Sequence, residues 1–160
     1  MKQKHLVCQG AICQCNYGAI PDKLKVKTQN KRFINDKDCK EKLIATHKDI
    51  GQTFEKNTFG PCKMQPLPGG GYKPCQAVVI EWSGYYDKVT LEDNKGNVLL
   101  EDSKGTCPIG GKDCIVITNH GQIAEVTSKN IQNTNKEVLK ELCPFVDVET
   151  INQYRDIALE

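Results

Sequence analysis

The sequence predicts a mainly β fold with a short α-helical C-terminal extension, and three observations lead there. Short runs rich in β-branched and aromatic residues recur between clusters of Gly, Pro, Asn and Asp. Helical apolar spacing is confined to the end of the chain. Nine cysteines are strung along 160 residues, at Cys8, Cys13, Cys15, Cys39, Cys62, Cys75, Cys107, Cys114 and Cys143, with none in a tight CxxC knuckle. An odd count cannot all pair within one chain, so the thiols either stay reduced, with some binding metal, or form a disulfide framework with one left over.

The expected strands are residues 24–28, 77–82, 88–91, 97–100 and 114–118. Each is a short β-prone run bounded by turn residues. Asp93, Asn94, Lys95 and Gly96 separate two of them and read as a hairpin turn. Residues 66–71, Pro-Leu-Pro-Gly-Gly-Gly, read as a loop, because proline lacks the ladder donor and glycine is entropically costly in regular structure. Beyond Gly121 the composition changes. Thr134 and Glu137 form a capping box for a helix through Leu142, with Pro144 at its stop. Asp147 caps a second helix whose Val148, Ile151, Tyr154 and Ala158 make one apolar stripe, read as packing against the β body or the first helix. The expected division is a β domain over 1–126 and a helical extension over 127–160.

At 38% hydrophobic residues the chain can form a lean core, and 22 Lys+Arg against 20 Asp+Glu leave a net charge of +2. The charges are interspersed, as on a solvated surface, and make no basic stripe for nucleic acid. Between Met1 and Cys8 there is no apolar run of signal-peptide length. No run approaches the ~20 apolar residues of a membrane span. The expectation is synthesis in a reducing cytosol, where thiols are free or metal-bound, with any export following a route without a cleaved signal.

Gly10-Ala11, Cys15-Asn16-Tyr17-Gly18 with Pro21, Phe59-Gly60-Pro61-Cys62, Pro74-Cys75, Trp82, Cys107-Pro108-Ile109-Gly110-Gly111 and Gly121-Gln122 occur in that order. Together they resemble the PAAR-like family, cysteine-rich relatives of the PAAR-repeat proteins that tip the spikes of type VI secretion and related contractile injection systems. The resemblance implies a small metal-stapled cone of short strands and hairpins seated on a trimeric valine-glycine-repeat spike protein. It also implies a structural zinc at the narrow end, where a hydrophobic core has no room, held by Cys15, Cys62, Cys75 and Cys107. Zinc suits such a position, being redox-inert and satisfied by thiolate and imidazole. The sequence departs from the better-known PAAR repeats, which lean on histidines. It has no Pro-Ala-Ala-Arg tetrapeptide and only His5, His47 and His120.

The remaining thiols and imidazoles have plainer readings beside the metal one. Cys13 shares a strand face with Cys15 and is the first substitute ligand. Cys114 opens an apolar strand and reads as a small core residue or a substitute. Cys143 is expected to pack under the first helix, while Cys8 and Cys39 lie in polar surroundings that assign them nothing. His120 could complete a three-cysteine, one-histidine site, but a turn histidine bonding its own loop is the commoner arrangement. His47 reads as an exposed strand-end residue, and His5 carries no signal.

The expectation is therefore a bacterial spike-tip protein that caps and sharpens the spike and presents effector cargo. It would be monomeric in isolation, without catalytic activity, nucleic-acid binding or membrane insertion, made in the cytoplasm and delivered outside the cell on the spike. A zinc-binding adaptor for protein or nucleic acid is the alternative. A cysteine-dependent enzyme with His120 as base is weaker, since no nucleophile elbow, HExxH helix, phosphate loop or paired catalytic carboxylates are present.

Overall fold

Short antiparallel strands tied by single bridges carry the backbone in the computed structural model, which describes residues 4–34, 42–122 and Glu137. In chain order they are β1 (Ile12–Cys15), β2 (Asp22–Lys23), β3 (Phe33–Ile34), β4 (Lys42–Leu43), β5 (Pro61–Pro66), β6 (Tyr72–Pro74), β7 (Glu81–Ser83), β8 (Tyr86–Thr90), β9 (Asn97–Val98), β10 (Lys104–Cys107) and β11 (Gly111–Asn119). Five of them form one sheet in the order β2-β1-β11-β10-β7, while β3-β4, β5-β6 and β8-β9 are separate two-stranded pairs. The expected mainly β architecture of small sheets and hairpins is present.

Contacts divide the chain into two units, Met1–Asn35 with Glu41–Gln122, and Asp36–Lys40 with Ile123–Glu160. All the named strands belong to the first. Of the expected helical extension only Glu137 is described, and it is helical. The two helices, their stripe, the 126/127 division, Cys39 and Cys143 otherwise lie outside the described residues.

The expected hairpin is β8-β9, with Thr90 opposite Asn97, Leu91 N–H donating to Gly96 O (2.8 Å) and Lys95 at φ 54°. The 114–118 run lies within β11. The stretch expected as a strand over 24–28 pairs only through a bridge between Leu24 and Phe54. The reason is chemical: the Asp49 carboxylate takes the N–H groups of Lys27 (3.1 Å) and Thr28 (3.2 Å) that a ladder would have used. Likewise 77–82 is mostly a bridged segment, with Val79 against Gly51, and only Glu81 and Trp82 enter β7. The pair β5-β6 has prolines at 61, 66 and 74, which mask it as a hairpin. They are tolerated because both strands of a two-stranded pair are edges.

The core gathers Val7, Ala11, Cys13, Leu24, Phe54, Phe59, Val79, Trp82, Leu99 and Ile115. Phe54 and Phe59 meet edge to face with centroids 5.0 Å apart. Buried carboxylates take the place of missing ladders. Asp22 accepts from the N–H groups of Lys23 (2.8 Å), Lys56 (3.1 Å) and Thr58 (3.3 Å). Asp49, 1% exposed, accepts in addition from Thr28 Oγ1 (2.9 Å) and Thr46 N–H (2.9 Å), and its own carbonyl accepts from Trp82 Nε1–H (2.7 Å).

Removing the Asp49 carboxylate strands three N–H groups at once, that of Thr46 fully buried and those of Lys27 and Thr28 partly so. Asp49→Ala should lower the unfolding free energy by about 3 kcal/mol or more. Urea unfolding followed by the fluorescence of Trp82 checks this, with Thr28→Ala, which deletes only the hydroxyl arm, costing far less.

Candidate metal centre

The four predicted thiols come from strand ends and turns that the fold draws to one region. Cys15 closes β1 opposite Ile115 of β11, and Cys107 closes β10 opposite Gly111 at the start of β11. Cys62 lies in β5, and Cys75 follows β6, its N–H donating to Gly60 O (2.8 Å) across that hairpin. Two glycines make the approach possible. The turn after Cys15 returns by Gly18 N–H to Cys15 O (3.0 Å) and lies against Phe59. A Cβ on Gly18 would stand 2.5 Å from the Phe59 Cβ and 2.7 Å from its carbonyl oxygen. A Cβ on Gly110 would stand 2.8 Å from the Cys114 Sγ. Bonds from Ala19 N–H to Phe59 O (2.8 Å) and Lys63 N–H to Tyr17 O (3.0 Å) then lock the Cys15 turn to the strand that carries Cys62.

The electrostatics place the thiols in one another's fields. Burial pushes the Cys75 thiol up, a backbone hydrogen bond with Phe59 opposes this, and charge on Cys62, Cys15 and Cys107 pushes it further up. Cys114 is pushed to about 11 by burial and by Cys15 and Cys107, including a side-chain hydrogen bond with Cys15, against a backbone hydrogen bond at Cys107. Five thiols thus share a region in which the neighbours' charge disfavours ionisation of Cys75 and Cys114. A bound cation reverses that balance, since thiolate is the ligating form. Among the described residues the sulfurs do not close, as a set of three, to the spacing of ligands on one ion.

The substitutes fall differently. Cys114 joins the four. Cys13 shares the inward face of β1 as expected, but its thiol is buried beside Asp22 and pushed up to about 12, by burial first and that carboxylate second, and it does not act on Cys75. His120 lies at the other end of β11, five residues beyond Ile115, or ~17 Å along an extended strand. Its Nδ1 accepts from Gln122 N–H (3.1 Å), the loop bond of the plainer reading. Its pKa is lowered by burial and then by His5, with Glu101 acting the other way.

Three plainer readings need correction. Cys8 is fully buried, bridged to Ile44, with its thiol donating to His120 O (3.5 Å). His47 is half-buried, stacked on Tyr85 (4.6 Å) and accepting from Asn97 N–H at Nδ1 (2.9 Å). His5 stacks on His120 with centroids 4.4 Å apart and bonds Glu101 (3.0 Å).

The segment carrying both the thiols and the strands is the part shared with other proteins. The chain belongs to the DUF4280 family. That family is described as a domain of unknown function, and its match covers residues 7–122, enclosing all the named strands. No curated protein and no solved structure matches the chain. Each of the four predicted thiols of this DUF4280 domain lies within the matched span.

The raised thiols fix the response to base. The unfolded chain releases these protons near the ordinary 9.0, whereas the folded domain holds them until about 11 at Cys114 and about 12 at Cys13. Stability from this source is complete below pH 9 and is lost as pH rises through that window. Metal-free protein should therefore lose unfolding free energy between pH 9 and 11, and Cys13→Ala should flatten the loss. Gly18→Ala should in turn cost ~1–3 kcal/mol through its overlap with Phe59, measured by urea unfolding at neutral pH.

Proposed function

We propose that this DUF4280 chain is a spike-tip protein of a contractile injection system of the type VI kind, built as a metal-stapled β cone. The observation that carries the reading is that Cys15, Cys62, Cys75 and Cys107 come from four separate turns and strand ends into one region, short of the spacing of ligands on a single ion. These are the positions that the resemblance to PAAR-like proteins assigns to metal. The span of that resemblance, ~5–123, also coincides with the family match over 7–122.

In this reading the four thiolates hold a structural zinc, with Cys114 flanking Cys15. The ion supplies a redox-inert crosslink between turns and strand ends that lie far apart in the sequence. The chain's own groups do the rest. Gly18 admits Phe59 beneath the Cys15 turn, and the β5-β6 hairpin presents Cys62 and Cys75 together. The function is mechanical, without a catalytic step. The domain covers the exposed strand edges at the end of a trimeric valine-glycine-repeat spike, one copy per trimer, and residues 127–160 serve effector cargo or another part of the machine. The protein is a monomer alone, made in the bacterial cytoplasm and carried out on the spike.

Protein purified from cytosol should contain about one zinc per chain by elemental analysis. Cys15→Ser, Cys62→Ser, Cys75→Ser and Cys107→Ser should each lower metal content and melting temperature together. Immobilised spike trimer should retain the wild-type chain in a 1:3 ratio. Metal-free protein with an unchanged melting temperature would refute the zinc, and failure to bind the trimer would refute the partner.

A further inference from the structure

We infer that His5, Glu101 and His120 form a second metal site, at the end of β11 remote from the four predicted thiols, that takes a borderline divalent cation such as zinc. Among the described residues, these three supply the set of potential ligand atoms that all lie within 4.8 Å of one another. His5 Nδ1 and Glu101 Oε2 are 3.0 Å apart, close to the ~3.3 Å that two donors at 2.0–2.1 Å subtend on one tetrahedral ion. Imidazole and carboxylate together suit zinc and its neighbours better than the hard cations, which take oxygen alone.

The three residues are far apart in sequence, and backbone bonds fix each in place. Glu101 N–H donates to His5 O (3.0 Å), Val7 N–H to Leu99 O (3.0 Å) and Cys8 N–H to His120 O (3.1 Å). The frame is therefore in place before any ion arrives. The rings of His5 and His120 stack within 9° of parallel. In that arrangement both cannot point their lone pairs at one ion, so the site closes by rotation of His120 away from its bond with Gln122. With its proton on Nε2, His5 offers the Nδ1 lone pair to the ion, and its bond with Glu101 and that of His120 with Gln122 are exchanged for bonds to the metal. His5 and Glu101 are 44% and 34% exposed at their side chains, leaving the remaining coordination positions open to water or to a donor from a partner. The ion would clamp the start of the domain to its last strand.

Cobalt(II) titrated into the full chain tests this, because thiolate ligation gives strong near-ultraviolet charge-transfer bands, whereas nitrogen and oxygen ligation gives only weak visible bands. The expected result is a set of weak bands that saturates independently of any thiolate charge transfer. His5→Ala/His120→Ala should weaken that titration at least ~10-fold, and Glu101→Gln should do so alone. Trp82 fluorescence and melting of the metal-free variants verify that they fold. His120→Gln, which keeps a polar side chain at the turn, repeats the test if the double variant does not. Weak bands that persist unchanged in the folded variants, or cobalt uptake showing thiolate bands only, would overturn the site. The thiol reading is judged separately by the charge-transfer bands, so either can fail alone.

Discussion

The antiparallel pairing of β1 with β11 is the interaction on which the rest of the domain depends. It joins residues a hundred or more positions apart, Ile12 to Asn119 and Cys15 to Ile115, and supplies the centre of the largest sheet. Strand β2 attaches through β1, and β10 and β7 attach through β11. One end of this ladder sets Cys15 beside Cys107 and Cys114. The other carries His120 to His5 and Glu101. A contact of such sequence separation costs loop-closure entropy before it returns any stability. Local hairpins, β5-β6 and β8-β9 among them, are therefore the parts able to form first.

Little of the backbone is paired in long ladders, so polar side chains take up its donors. Asp22 gathers N–H groups from two loops and Asp49 from two others, and buried Gln29 bonds both the Arg32 and Ile44 carbonyls. Each is an acceptor or donor fixed where water does not reach. The economy is that of an irregular β domain, in which satisfied polar groups rather than sheet area hold the loops in register.

The two clusters differ in their electrostatic character. Burial and neighbouring thiols raise the pKa of Cys75 and Cys114, and Cys15, Cys107 and Cys114 belong to the apolar core. The histidine cluster already contains a carboxylate and stands half in solvent. The first suits a structural role inside the fold. The second suits an exchangeable one at its surface.

That the four thiols share a region was legible in the sequence because each predicted cysteine stands next to a turn residue, and turns are what bring separate strands to a common end. Phe59-Gly60-Pro61-Cys62 and Cys107-Pro108-Ile109-Gly110 announce their own geometry. The 93–96 hairpin and the apolar run inside β11 were equally readable, since turn chemistry and β-branching are local properties. The strand expected over 24–28 was not, because Asp49, twenty-odd residues later, takes its donors. Nor was β5-β6, whose prolines argue against a ladder unless both strands are known to be edges. Nothing in the spacing of His5, Glu101 and His120 marks them as neighbours. By itself, then, the sequence determined the β character, the turns and the thiols that stand at them. Tertiary structure alone decided which donors the buried carboxylates capture and which distant residues share a site, because those outcomes depend on long-range register, which no local pattern encodes.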